Sequence, residues 1–129
     1  MYTRLSEKEE LLGKQIVDVA YQLHKILGPG LLESVYEKCF CHELFNRNIN
    51  YLRQKEVPII YKGLKVDDGL RLDILVEELI IVELKAQVNF YPVWEAQTLS
   101  YLKLADKRLA FLINFHVPLI KDGIKRIIL

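Results

Sequence analysis

With 129 residues and a formal net charge of +1, the chain has the size of one domain and lacks the charge for a uniformly basic nucleic-acid coat, though a local basic patch is compatible with it. A hydrophobic fraction of 51% supports a real core, and a charged fraction of 27% is ordinary for a soluble protein. No stretch approaches the roughly 18 apolar residues of a membrane span, and the opening "MYTRLSEKEELLGK" has no apolar run of signal-peptide length, so a cytoplasmic protein with no membrane partner is expected.

Ser6 followed by Glu9 forms a capping box, and Leu12, Ile16, Val19, Leu23 and Ile26 repeat at helical spacing behind it. Gly28-Pro29-Gly30 stops that helix. A second helix is predicted from about Leu31 to Arg47, with Leu32, Val35, Tyr36, Cys39 and Phe40 on one stripe. Cys39 and Cys41 lie two apart on it and point to different sides, so they do not readily bridge each other and a reducing cytoplasm suits them. From Tyr51 to Lys85 the pattern changes to short runs rich in Val, Ile and Tyr, punctuated at Lys62-Gly63, Asp67-Asp68-Gly69 and Glu77-Glu78. These are strand and turn signals and predict an antiparallel meander of about three strands. Pro92 suits the first turn of a third helix, about 92 to 106, and "RLAFLINF" and "GIKRIIL" predict one or two further strands. With no repeat, low-complexity tract or linker, residues 1–129 read as a single α/β domain, a mixed sheet flanked by helices.

Several polar groups interrupt this apolar pattern. In "RLDILVEELIIVELKAQ", Asp73 breaks one strand-like run while Glu83 and Lys85 close the next. Unpaired charges on such strands cost several kcal/mol or more to bury, so they need water or a partner. On the third helix Gln97 falls within a stripe of Val93, Ala96, Ser100, Tyr101 and Leu104 that the spacing turns toward the core, and Glu33 lies at the edge of the second helix's stripe. Singly, each has an ordinary structural reading: Glu33 suits the helix dipole, Gln97 a satisfied core amide, Glu83 and Lys85 a solvated strand face. Together they favour a site. Glu83 and Lys85 share a face, and Asp73 placed opposite Glu83 on an adjacent strand puts two carboxylates within reach of one divalent cation. That pairing requires an odd number of residues in the connection, such as Glu77-Glu78-Leu79 or a bulge; a plain two-residue turn would pair Asp73 with Val82 and separate the carboxylates.

An acid on one strand followed by Glu-x-Lys on the next, here Asp73 and Glu83-Leu84-Lys85, resembles the PD-(D/E)xK nuclease superfamily. Gly30-Leu31-Leu32-Glu33-Ser34-Val35-Tyr36 is similar to the pattern of its small prokaryotic GxxExxY family, and Gln97 with Tyr101 resembles a Gln-x-x-x-Tyr helix of several branches. The likeness covers nearly the whole chain; it departs at Leu72-Asp73, where the superfamily often carries Pro-Asp. It implies a restriction-endonuclease-like core, Asp73 and Glu83 as ligands of Mg²⁺ (Mn²⁺ as the alternative), Lys85 at the attacking water, Glu33 as an accessory acid, Gln97 as a positioning group, and Tyr36 and Tyr101 as accessory residues.

Elsewhere the signals are weaker. Cys39-x-Cys41-His42 scatters its side chains around a helix, and His24 and His116 have no partner at a telling distance. Lys103, Lys107 and Arg108, and further on Lys121, Lys125 and Arg126, are candidate phosphate contacts, with solvated faces as the ordinary reading. The expected function is Mg²⁺-dependent hydrolysis of DNA or RNA; the alternative is a catalytically silent binding or regulatory module. Leu99 and Leu102 give the third helix a second apolar face and suggest a homo-oligomer.

Overall fold

The computed structural model describes residues 4–129. Helix α1 (Glu7–Leu27) opens with the expected capping box, Glu9 N donating to Ser6 Oγ at 3.1 Å and Ser6 N to Glu9 Oε1 at 2.7 Å. Leu12, Ile16, Val19, Ala20 and Leu23 are buried beneath it. Ile26 is not: it is 77% exposed, and Leu27 packs against the core in its place. After Gly28, whose φ of 71° suits glycine, a short loop leads into α2 (Glu33–Asn46).

Tyr36 holds that loop. Its hydroxyl donates to Gly28 O at 2.6 Å and accepts from Leu31 N at 3.2 Å, and its buried ring stacks on Phe115 with centroids 4.4 Å apart. The buried face of α2 is Tyr36, Glu37, Phe40, Cys41 and Leu44 rather than the expected stripe; Leu32 is the N-cap and 74% exposed, and Val35 and Cys39 are only half-buried. The face is turned because Glu37 is drawn inward by polar partners on the sheet, Arg53 and Gln54.

The meander is β1 (Tyr51–Tyr61), β2 (Leu64–Val76) and β3 (Ile80–Lys85). Asp67-Asp68-Gly69, expected to be a turn, lies inside β2; the hairpin turns only at Lys62-Gly63. The β1–β2 register shifts between Val57 and Ile59, and a Cβ on Gly69 would sit 2.5 Å from Val57 O, so glycine lets the strands close at the irregularity. Helix α3 (Pro92–Ala105) then carries the chain across, and β4 (Leu109–Asn114) pairs parallel with β3 before β5 (Ile124–Ile128) adds an antiparallel edge. The strand order is β1-β2-β3-β4-β5 in one mixed sheet.

Helices α1 and α2 pack on one face of the sheet over Ile74, Val76, Ile80, Val82, Leu84, Phe111 and Ile113. Helix α3 covers Leu70, Leu72, Leu75, Ile81 and Ala110 on the other. Its buried positions are Trp94, Thr98 and Leu102, not the expected stripe: Val93 and Leu104 are 65% and 43% exposed, and Ala96, Gln97 and Ser100 are exposed too. Thr98 buries its hydroxyl by donating to Trp94 O at 2.8 Å, a pairing that apolar spacing does not register. Leu102 is buried and Leu99 half-buried against the sheet, so they form no free second face and the argument for an oligomer loses its basis.

Tyr36 is therefore a loop anchor, with its hydroxyl fully engaged. Tyr36→Phe should lower stability by about 1–3 kcal/mol, since Gly28 O and Leu31 N both lose a partner. It should leave divalent-cation affinity unchanged. Thermal melting and Mn²⁺ titration of the same variant check both halves.

Candidate active site

The connection from β2 to β3 settles the register. Val76 pairs with Ile80, so Glu77-Glu78-Leu79 is an odd-numbered link. Glu77 and Glu78 are both left-handed, φ 52° and 59°, and Leu79 N donates to Val76 O at 2.9 Å. Regular pairing runs back to Ile74↔Val82 and stops; the continued register sets Asp73 opposite Glu83. There the side chains replace the ladder. Leu84 N donates to Asp73 Oδ2 at 2.9 Å, and Asp73 N donates to Glu83 Oε1 at 3.3 Å.

Strand β2 rolls over at the same residue. Leu70 and Leu72 pack under α3, whereas Ile74 and Val76 pack under α1 and α2, although successive even-numbered residues of a regular strand share a face. On the other side Gln54 lies between the pairs Arg53↔Ile74 and Lys55↔Leu72, unpaired, with φ 55°. Asp73 thus sits where the sheet is opened towards both neighbours.

The electrostatics follow from that opening. Glu83 is 6% exposed, and burial first, then the negative charge of Asp73 and a hydrogen bond between the two carboxyl groups, push its pKa up to about 9; the peptide N–H of Asp73 and the ammonium of Lys85 oppose the shift. Glu33, at the start of α2, is exposed as a whole, but partial desolvation of its carboxyl and then Asp73 raise its pKa while Lys85 lowers it. Tyr101, half-buried on α3, has its pKa raised by burial and then by Glu83 and Asp73. Glu33 on α2 and Tyr101 on α3 therefore lie within electrostatic range of the β2–β3 opening with Asp73, Glu83 and Lys85.

Lys85 makes no ion pair with either carboxylate among the described residues; its Nζ stands 5.2 Å from the centre of the Trp94 ring. Gln97 is exposed, and no described residue hydrogen-bonds its amide, so its expected positioning role is dropped. Tyr36 is likewise committed elsewhere, as shown above. The basic residues divide. Lys103 is in the last turn of α3, and Lys107 and Arg108 precede β4, whose first residue Leu109 pairs with Ile80, five residue steps or about 16 Å of strand from Lys85. Lys107 and Arg108 therefore do not share a phosphate with it. Lys125 pairs with Glu95 at 2.7 Å and Arg126 with Glu10 at 3.3 Å. His24 Nε2 donates to Val117 O at 2.8 Å, a structural bond. The Cys41 thiol is buried and its pKa pushed up to about 11, chiefly by desolvation and then by Glu37, so it is no thiolate ligand.

Three supporting groups escaped the sequence reading. Glu37, 6% exposed, accepts from Arg53 Nε at 2.7 Å and Gln54 Nε2 at 2.6 Å, and so pins the left-handed residue opposite Asp73. Its only signal was a carboxylate one turn after Glu33 beside Tyr36 and Phe40. Asn114, 1% exposed, donates to Gln87 O at 2.9 Å and accepts from Gln87 N and His116 N at 3.1 Å, fixing the chain beyond Lys85. Trp94 supplies the ring beneath the Lys85 ammonium.

These residues fit a small hard cation. Two facing carboxylates, one buried, have no cationic side chain at ion-pair distance among the described residues. No three His, Cys, Asp or Glu side chains converge among the described residues either. That donor set suits a divalent ion that takes one or two carboxylates and completes its shell with water and substrate phosphate better than an ion needing an all-protein cage.

Two tests bear on this geometry. In metal-free buffer the native state keeps a proton on Glu83 that the unfolded chain releases in the ordinary carboxylate range, so stability should fall as pH rises from about 5 towards 9. Glu83→Gln should flatten that slope in a melting series. Separately, Glu37→Ala leaves Arg53 without its acid and Gln54 unpinned, and should weaken Mn²⁺ binding although it touches neither carboxylate of the pair. An unchanged Mn²⁺ titration would show that the kink holds itself.

A model of the PD-(D/E)XK nuclease superfamily matches residues 10–127. No curated protein and no solved structure matches the chain. The match takes in both strands of the opened ladder, α2, α3 and most of α1, the fold agrees with a restriction-endonuclease-like core, and the chain belongs to the PD-(D/E)XK nuclease superfamily.

Proposed function

We propose that this chain hydrolyses phosphodiester bonds of nucleic acid with the help of Mg²⁺, or Mn²⁺ in its place, held between Asp73 and Glu83. The observation that carries the reading is the opened β2–β3 ladder, where two carboxylates face each other without a cationic partner among the described residues and Lys85 projects from the same face of β3. A divalent cation bound there supplies Lewis-acid stabilisation of phosphoryl oxygens and lowers the pKa of water.

The chain's own residues have distinct tasks in this reading. Asp73 and Glu83 hold the cation, and their backbone-anchored oxygens set where it lies. Lys85 directs its ammonium at the attacking water or the negative charge gathering on the phosphoryl group. Glu33, kept closer to its protonated form by partial burial and by Asp73, is placed at the mouth to exchange a proton. Tyr101 closes the α3 side.

Lys85→Ala tests the assignment. The variant should keep its fold and its Mn²⁺ affinity while cleavage of plasmid, single-stranded DNA or RNA falls by roughly 10²–10³, the usual cost of removing a preorganised charge. A folded, Mn²⁺-binding variant that cleaves like the parent would end this mechanism. A parent that binds nucleic acid but cleaves none of the three with either ion would leave a silent binding module on a nuclease fold.

A further inference from the structure

Between Lys85 and α3 the chain runs Ala86-Gln87-Val88-Asn89-Phe90-Tyr91, and it carries more aromatic surface than the core uses. Trp94 is 7% exposed and serves as a floor. Phe90 and Tyr91 both stand edge-on to it, with centroids 5.1 and 5.2 Å away and interplanar angles of 64° and 71°. Neither ring is stacked flat on Trp94, and Lys125 lies over the Phe90 ring, so Tyr91 is the ring that offers a face. Tyr91 is 44% exposed, and Val88 and Val93 beside it are 78% and 65% exposed. Cations flank the group on two sides: Lys85 Nζ lies 5.2 Å from the Trp94 ring centre and Lys125 Nζ 5.1 Å from that of Phe90. The segment is tethered, since Asn114 grips both the N–H and the carbonyl of Gln87.

We propose that Phe90, Tyr91 and Trp94 form a stacking shelf for an unpaired nucleobase next to the phosphate at Lys85, so that the substrate class is single-stranded nucleic acid or an unpaired end. This deepens, and rests on, the nuclease reading of the same site. Trp94 touches both the catalytic strand's lysine and Tyr91, which puts a base on Tyr91 about one nucleotide from a phosphate at Lys85. The chemistry is that of single-strand recognition: an aromatic face takes any base and the Lys85 ammonium takes the adjoining phosphate, Lys125 being paired with Glu95. A paired base has its faces covered by its neighbours in the stack and must be unstacked, at a cost of a few kcal/mol, before it reaches such a shelf. The exposed faces therefore favour strands that are already open.

The chain has one tryptophan, so Trp94 fluorescence reports on the shelf directly. In EDTA, a 12-nucleotide oligo(dT) should quench it and bind at least about tenfold more tightly than a hairpin duplex with the same number of phosphates. Tyr91→Ala should weaken oligo(dT) binding roughly 5- to 100-fold, the range expected for one stacked base, while Tyr91→Phe keeps it. Tyr91→Leu preserves apolar packing without a ring and serves if the alanine variant melts early; it too should lose the single-strand preference. The shelf is overturned if Tyr91→Leu binds oligo(dT) like the parent, if duplex is held as tightly as single strand, or if the parent shows no oligo(dT) binding. Mn²⁺ titration and cleavage, run on the same samples, separate the two readings. A parent that binds oligo(dT) through Tyr91 but takes no Mn²⁺ and cleaves nothing keeps the shelf and loses the nuclease mechanism. One that binds Mn²⁺ and cleaves, with a strand choice indifferent to Tyr91, loses the shelf alone.

Discussion

Between Leu72 and Ile74 strand β2 rolls over, and the carboxylates of Asp73 and Glu83 fill the gap this opens in the ladder. A regular antiparallel pair would spend the N–H groups of Asp73 and Leu84 on backbone carbonyls. Here they are spent on carboxylate oxygens, which fixes both acids by their own backbone rather than by rotamer preference alone. The same bonds keep two carboxyl groups together in a partly buried place, an arrangement that raises the pKa of Glu83 and leaves a proton on it in the metal-free protein. The site and its cost have one origin.

Such a break persists only if the surroundings over-determine it. Glu37 provides one fixed point, using both carboxylate oxygens on Arg53 and Gln54 opposite Asp73. Asn114 provides another, holding Gln87 just beyond Lys85, while Phe115 N donates to Lys85 O at 2.9 Å and ties the end of β3 to β4. Below them, Tyr36 stacks on Phe115 and closes the α1–α2 loop, so that Glu33 enters the site at a fixed angle. The apolar core on the α1–α2 face, with Ile74, Val76, Ile80, Val82 and Leu84 all fully buried, is the rigid body to which these polar clamps are fastened.

Much of this was legible in the chain, and the failures share a cause. The capping box, the Gly28 stop, a meander of about three strands with one or two more after the third helix, and Pro92 at a helix start all rest on local chemistry, and the structure carries each of them. The odd connection Glu77-Glu78-Leu79 was legible because a strand's period of two leaves carboxylates either together or apart. What the sequence hid was rotation about an axis. Both α2 and α3 are turned from their apolar stripes because Glu37 and Thr98 are buried with polar partners, Arg53, Gln54 and the Trp94 carbonyl, that lie elsewhere or on the backbone. Asp67-Asp68-Gly69 reads as a turn for the same reason: its glycine serves close approach to Val57 across the hairpin, not a reversal.

Lys85 completes the logic of the pair. Had its ammonium bonded Glu83, the site would be neutralised from within, and a divalent cation would have to displace a salt bridge to enter. Its place over the Trp94 ring costs little solvation and leaves both carboxylates without a direct counter-charge among the described residues. The negative potential at the opening is thus kept for an ion that can also hold phosphate, while the lysine stays on the same face as a separate positive group. The acid pair has no lysine bonded to it among the described residues, and the lysine rests on an aromatic ring instead. Together they separate the cation-binding element from the element that meets substrate charge, and phosphodiester hydrolysis requires both at once.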